Sequence, residues 1–151
     1  MTPLEITSLG KVGGALMLGL SAIGSAAGAN AAGLAAIGSW KKCYAQNKLA
    51  PFMLVAFIGA PLSQTIYGYI VSIQIAASAG KGAPCPALIA AGLFGGIAMG
   101  LSAWFQGRVG AAAADALAET GQGAANYFMA IGIVETVALF TLAFIGKTIA
   151  F

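Results

Sequence analysis

The chain has 151 residues, 60% of them hydrophobic and 7% charged, with 22 glycines, a mean hydropathy of +0.92 and a formal net charge of +3. No soluble globular domain of ordinary composition matches this, so the chain reads as an integral membrane protein. Its positive balance comes from lysines at the ends of apolar stretches, without the basic cluster and interleaved aromatics that a nucleic-acid surface needs, so nucleic acid is not a partner.

The first apolar run, Val12 to Ile37, follows Lys11. With the small-residue tract Ala27, Gly28 and Ala29 its start could pass for a cleavable leader, but it is read here as a first membrane span. Gly24, Gly28 and Ala32 repeat a small residue at every fourth position, which lets a neighbouring helix backbone come close. A polar connection from Gly38 to Pro51 follows, carrying Trp40, Lys41, Lys42, Tyr44 and Lys48.

The second run is Phe52 to Ala79. Ala60, Ser63, Gln64 and Tyr67 fall at i, i+3, i+4 and i+7, so one helical face carries oxygen atoms in the middle of a span. Pro61, on the same turn, has no N–H for the carbonyl four residues back and can bend the helix there. Gly80 to Pro86, with two prolines, forms the next connection.

The third run, Ala87 to Leu117, has its own stripe of Gly92, Gly96 and Gly100 and an internal Gln106. Two such stripes suggest that these helices lie inside a crowded assembly of several copies, with the bulkier second and fourth outside. The alternative is that the stripes simply pack within one bundle. After the turn at Glu119 to Gly123 comes the fourth run, Ala124 to Phe151, which contains Glu135. An unpaired charge at that depth costs at least ~2.5 kcal/mol, so it needs a function. Gln106 lies fourteen residues before Thr120 and Glu135 fifteen after it. At ~1.5 Å per residue both stand about 21 to 22 Å from the turn, level with each other in an antiparallel hairpin.

Each run reaches the ~20 residues of a spanning helix, and nothing alternates as a barrel strand would. The fold class is therefore all-α: a membrane protein of four transmembrane helices, arranged as two tandem hairpins. The first hairpin takes residues 1–79, a linker 80–86, and the second hairpin 87–151. Gly19, Leu20, Ser21 and Ala22 recur as Gly100, Leu101, Ser102 and Ala103, and Gln64-Thr65 stands where Glu135-Thr136 stands. The second hairpin thus reads as a copy of the first, with an acid where the first has an amide. Lys41, Lys42, Lys48 and Arg108 against Lys11, Lys81 and Lys147 tilt the first and third connections towards the cytoplasm.

Ser63, Gln64, Tyr67, Gln106 and Glu135 make a set of oxygens with one negative charge. Carboxylate, amide and hydroxyl oxygens suit a hard monovalent cation such as Na⁺, whereas a proton would need Glu135 alone. Gln64 and Gln106 can also be plain interhelical hydrogen-bond partners. Gly146-Lys147-Thr148 resembles the end of a phosphate loop only by chance, because Thr141 stands where its first glycine belongs. Arg108 reads as an interfacial anchor whose head reaches towards water, and Asp115 and Glu119 as solvated or partner-facing. Cys43 and Cys85, on opposite sides of the membrane, read as two free thiols. With no histidine, no catalytic cysteine context and no nucleotide motif, the chain is not an enzyme acting alone.

Three segments carry a family resemblance: Pro61-Leu62-Ser63-Gln64 with Tyr67-Gly68, Gln106-Gly107-Arg108-Val109, and Val134-Glu135-Thr136. Together with the doubled hairpin they resemble the K-type proteolipid of bacterial V-type (V/A-type) ATPases, above all the sodium-pumping ones. The resemblance implies a rotor ring of identical subunits in the cell membrane, coupled through central-stalk subunits to ATP hydrolysis or synthesis. A stator subunit with a cationic residue would stand beside the ring. Helices 1 and 3 would line its inner wall and helices 2 and 4 its outer wall. Glu135 would be the ion carrier. Gln64, Gln106, Ser63 and the backbone oxygen of Ala60 would complete a Na⁺ site, and Tyr67 would hold the carboxylate. Ser63 replaces a threonine of those relatives and Ala60 a larger residue, which keeps a hydroxyl and a carbonyl at the two positions. Rival readings are a self-contained four-helix cation antiporter, expected to be dimeric, and a scaffold held by its glycine stripes, in which Glu135 would be dispensable.

Overall fold

The structure is a computed structural model that describes residues 2–149; Met1 and, at the end of the fourth run, Ala150 and Phe151 lie outside the described residues. Among the described residues every regular element is helical: α1 (Pro3–Ala45), α2 (Leu54–Gly59), a 3₁₀ turn (Ala60–Leu62), α3 (Ser63–Gly80), α4 (Cys85–Thr120) and α5 (Ala124–Thr148). The four spans, with α2, the turn and α3 counted as one, are long and apolar enough to cross a bilayer, and the chain is a multi-pass membrane protein.

The first helix is longer at both ends than its apolar run. Thr2 caps it, its hydroxyl accepting from the Glu5 N–H at 3.3 Å while the Glu5 carboxylate accepts from the Thr2 N–H at 2.7 Å. At the other end Gly38 to Ala45 are helical, so most of the expected first connection belongs to α1. Hydropathy marks where lipid ends; the helix ends only where something breaks it. Between Gly38 and Pro51 no proline does so, and 43 residues carry α1 about 64 Å, well beyond a ~30 Å hydrocarbon core. Trp40 Nε1 donates to the Pro51 carbonyl at 2.8 Å and pins the short turn that follows. Lys42 pairs with Glu119 and stands 3.9 Å from Asp115, so these acids face α1 at this end of the bundle.

α1 and α4 run side by side as the central pair, and their glycines explain why. Gly13 lies against Gly92, Gly24 against Gly100 and Gly28 against Gly107, each so tightly that an added methyl would fall on the opposing backbone. The two stripes therefore cover each other within one chain, and they do not by themselves call for further copies. Each stripe occupies one face only. On their outer faces α1 and α4 carry Ile23, Leu34, Ile37, Phe94, Leu101, Trp104 and Phe105, all exposed, so bulky side chains are not confined to the second and fourth spans.

α3 packs in the groove beside α1, and α5 lies on α4 and α3. The α4–α5 turn is made by Gly121 and Gly123, both with positive φ, which lets the chain reverse within three residues. α5 buries little and presents Met129, Ile133, Val137, Phe140 and Phe144 outwards, as a lipid-facing helix does. Cys43 and Cys85 are free and sit at opposite ends of the bundle: the Cys43 thiol meets the Ala118 carbonyl at the far end of α4 from Cys85.

A carboxylate and amide cluster between the two hairpins

Pro61 sets the geometry on the first hairpin. Lacking an N–H, it interrupts the ladder, and the second span divides into α2, one 3₁₀ turn and α3. The turn brings the Ala60 carbonyl under Ser63, which reaches it with both its N–H and its hydroxyl, the latter at 3.0 Å. The same hydroxyl lies 3.2 Å from Gln64 Oε1, so one proton is shared between two acceptors. Pro61, Gln64 and Gly68 then share the buried face of this span, and Gln64 points into the bundle.

On the second hairpin, α4 supplies Gln106 and α5 supplies Glu135. Gln64 and Gln106 are both fully buried, each with 0% exposure, whereas Ser63, Tyr67 and Glu135 are half-buried. Tyr67 Oη donates to Glu135 Oε1 at 2.8 Å, and Gln106 Nε2 donates to Glu135 Oε2 at 3.1 Å and to the Ile131 carbonyl at 3.3 Å. Gln106 Oε1 accepts from Gln64 Nε2 at 2.8 Å. All six residues singled out in the sequence, Ala60, Ser63, Gln64, Tyr67, Gln106 and Glu135, thus fall into one hydrogen-bonded chain that crosses from α3 through α4 to α5.

Sequence reasoning missed two members of this neighbourhood. Ser102 Oγ donates to the Val134 carbonyl at 3.0 Å, tying α4 to α5 one residue before the acid, and the Ile131 carbonyl helps to fix the Gln106 amide. Ser102 was within reach, being one turn before Gln106 and part of the repeated Gly-Leu-Ser-Ala segment. The Ile131 carbonyl carries no signal in a side-chain pattern.

Electrostatically the cluster is unbalanced. Both partners of the Glu135 carboxylate are neutral donors, and no lysine or arginine among the described residues pairs with it. A carboxylate at this depth must be neutralised, by a proton or by a cation held among the amide, hydroxyl and carbonyl oxygens. Among the described residues no group of three His, Cys, Asp or Glu side chains could hold a metal ion in the ordinary way, and a single negative charge matches a monovalent ion.

Residues 89–145, which run from the second turn of α4 to near the end of α5, match the ATP synthase C-subunit family. That match supports a c-ring proteolipid. Such proteolipids form oligomeric rings of helical hairpins with other ATPase subunits and carry H⁺ or Na⁺; they are non-catalytic, ion-translocating rotor subunits. The matched stretch contains Gln106 and Glu135 and leaves the first hairpin, with Gln64 and Tyr67, outside it. No curated protein matches the chain.

Proposed function

We propose that this proteolipid is the doubled rotor subunit of a V-type rotary ATPase in the cell membrane and that the ion it carries on Glu135 is Na⁺. The observation that carries the reading is the chain of oxygen-bearing side chains running into Glu135 from both hairpins. A proton carrier needs a carboxyl group and a donor or two; a second buried glutamine, a hydroxyl and the Ala60 carbonyl of the 3₁₀ turn beside them are what a cation needs. In this reading Glu135, Gln64, Gln106, Ser63 and the Ala60 carbonyl are the ligands, and Tyr67 fixes the carboxylate.

The cycle follows from the cost of charge in lipid. With the ion bound, Glu135 is neutral and the ring turns through the bilayer; beside a stator cation the ion is released, because that cation replaces it as the counter-charge. Residues 1–79 and 87–151 act as the two halves of a duplicated unit that delivers one ion per subunit. The partners are identical copies in the ring, the stator subunit, central-stalk subunits and lipid.

The test is ATP-driven uptake of radiolabelled Na⁺ into vesicles carrying the whole complex, with and without a protonophore. Uptake that persists or increases with the protonophore supports a direct Na⁺ rotor, whereas uptake that collapses assigns the primary ion to H⁺. Sizing the purified proteolipid separates a large ring from the dimer that an antiporter would form.

A further inference from the structure

Tyr69 of α3 puts a polar group into the hydrocarbon. It is 54% exposed, and among the described residues its hydroxyl has no hydrogen-bond partner, although its carbonyl accepts from the Ser72 hydroxyl. Asp115 lies nine residues beyond Gln106 and Lys147 twelve beyond Glu135, so charged residues bracket the cluster at about 13 and 18 Å on its two sides. Tyr69 is only five residues from Gln64, about 7.5 Å along the helix towards the Lys147 side. Side chains lean towards the N-terminus of their helix, which carries the phenol deeper still. Neither water nor a lipid headgroup meets it there, and an unpaired hydroxyl in hydrocarbon is costly.

The opposite flank of the molecule offers an acceptor at the same depth. Gly68, beside Tyr69, lies against Ser21 of α1, whose hydroxyl is 3.7 Å from the Met99 sulfur of α4. Gly95, one turn before Met99, lies against Ile145 of α5, and in an antiparallel pair this sets Thr141 level with Met99. Thr141 and Tyr69 are therefore at one height but face apart. α3 meets α5 through Tyr67, and Tyr69 is about 200° further round the helix, whereas Thr141 lies in the seam between α4 and α5.

That seam is concave. Two hollows of about 340 and 550 Å³ run along it and share Ala98 and Val137, with Phe94 lining one and Phe105 the other. Among the described residues that line the first, Thr141 brings the only polar side chain. Its hydroxyl donates to the Val137 carbonyl at 2.8 Å and keeps lone pairs with which to accept. On the Tyr69 flank α1 adds no bulk: Gly19 has nothing within 4 Å of an added methyl, and Ala22 and Ala26 follow it on the face turned away from α4. Subunits that close a ring meet through two different faces, because a face that pairs with itself closes a dimer. Copies in a ring also share one height, so each residue meets what lies at its own depth on the other flank.

We propose that these two flanks form the seam between neighbouring copies, and that Tyr69 of one copy enters the α4–α5 hollow of the next and donates its hydroxyl to Thr141 there. The inference rests on the reading of the chain as a ring subunit and not on the identity of the ion.

The experiment places the photoreactive p-benzoylphenylalanine at position 69 and irradiates the intact complex in its membrane. Covalent dimers and higher ladders of the chain are expected, with the bridged peptide mapping by mass spectrometry to residues 94–105 or 133–145 of another copy. Bridges to lipid alone, or to other segments, overturn the seam. The hydrogen bond is read from the temperature at which the purified ring dissociates into single chains on a gel. Tyr69→Phe is expected to lower it by several degrees. Thr141→Val, which strands the phenol, is expected to lower it further, and the double variant no further than Thr141→Val, since both remove one bond. Thr136→Val, which deletes another hydroxyl of α5, is expected to leave it unchanged. A wild-type dissociation temperature in both single variants, or additive losses in the double one, overturns the bond. A wild-type protein that sizes as a dimer overturns the ring reading and the seam together, whereas a ring whose bridges fall elsewhere overturns the seam alone.

Discussion

The two hairpins share a plan and differ in one functional group. Each pairs a long inner helix, α1 or α4, with an outer span that offers a polar side chain in mid-membrane, Gln64 in one and Glu135 in the other. The amide is fully buried and makes its bond inwards to Gln106; the acid is half-buried and takes its donors from Tyr67 on one side and Gln106 on the other. An amide can help to bind an ion but cannot be its counter-charge. In the proposed reading one hairpin contributes ligands and the other the charge, which would mean one ion per four helices and fewer ions per turn for a ring of a given helix number.

The largest effect that would break this comparison is at the acid. Glu135→Gln, which makes the hairpins alike, is expected to abolish ATP-driven ion uptake and all Na⁺-sensitive carbodiimide labelling. If uptake survives, the scaffold reading gains and the division of labour fails. Next comes the seam that joins the halves. Gly107→Val would drive a side chain into the Gly28 backbone and is expected to prevent recovery of folded protein in detergent, whereas Gly19→Ala, with open space around it, is expected to be neutral in the same assay.

Gln106 comes third because it serves both halves. Gln106→Ala removes the bond to the carboxylate and strands the Gln64 N–H, so the Na⁺ midpoint for protecting Glu135 is expected to rise by more than about tenfold. A smaller change is expected for Tyr67→Phe, which deletes one donor from a carboxylate that keeps another: about three- to tenfold in the same titration. Smallest is Lys42→Ala, at the exposed ion pair with Glu119, where solvent screening leaves the melting temperature expected to stay close to the wild-type value.

How much of this was legible in the sequence depended on the kind of signal. Hydropathy found four spans and proline found the break in the second, because both act locally along the chain. Counting residues from the Thr120 turn put Gln106 level with Glu135, and the two are hydrogen-bonded. The ends of α1 were misjudged, since Trp40, Lys41 and Lys42 are polar without being helix breakers. Register between non-adjacent helices was also beyond reach. The α1 and α4 stripes were visible, but the pairing of Gly13 with Gly92 and of Gly28 with Gly107 depends on how far one helix slides along the other.

The central claim is that Glu135 is the charge of a Na⁺ site assembled from both hairpins. It is tested most directly by carbodiimide labelling of the purified, size-defined complex across a Na⁺ titration at fixed pH. The account predicts that labelling falls on Glu135 of a large ring and is slowed as Na⁺ rises. Labelling of Glu135 that ignores Na⁺ and responds only to pH would contradict it.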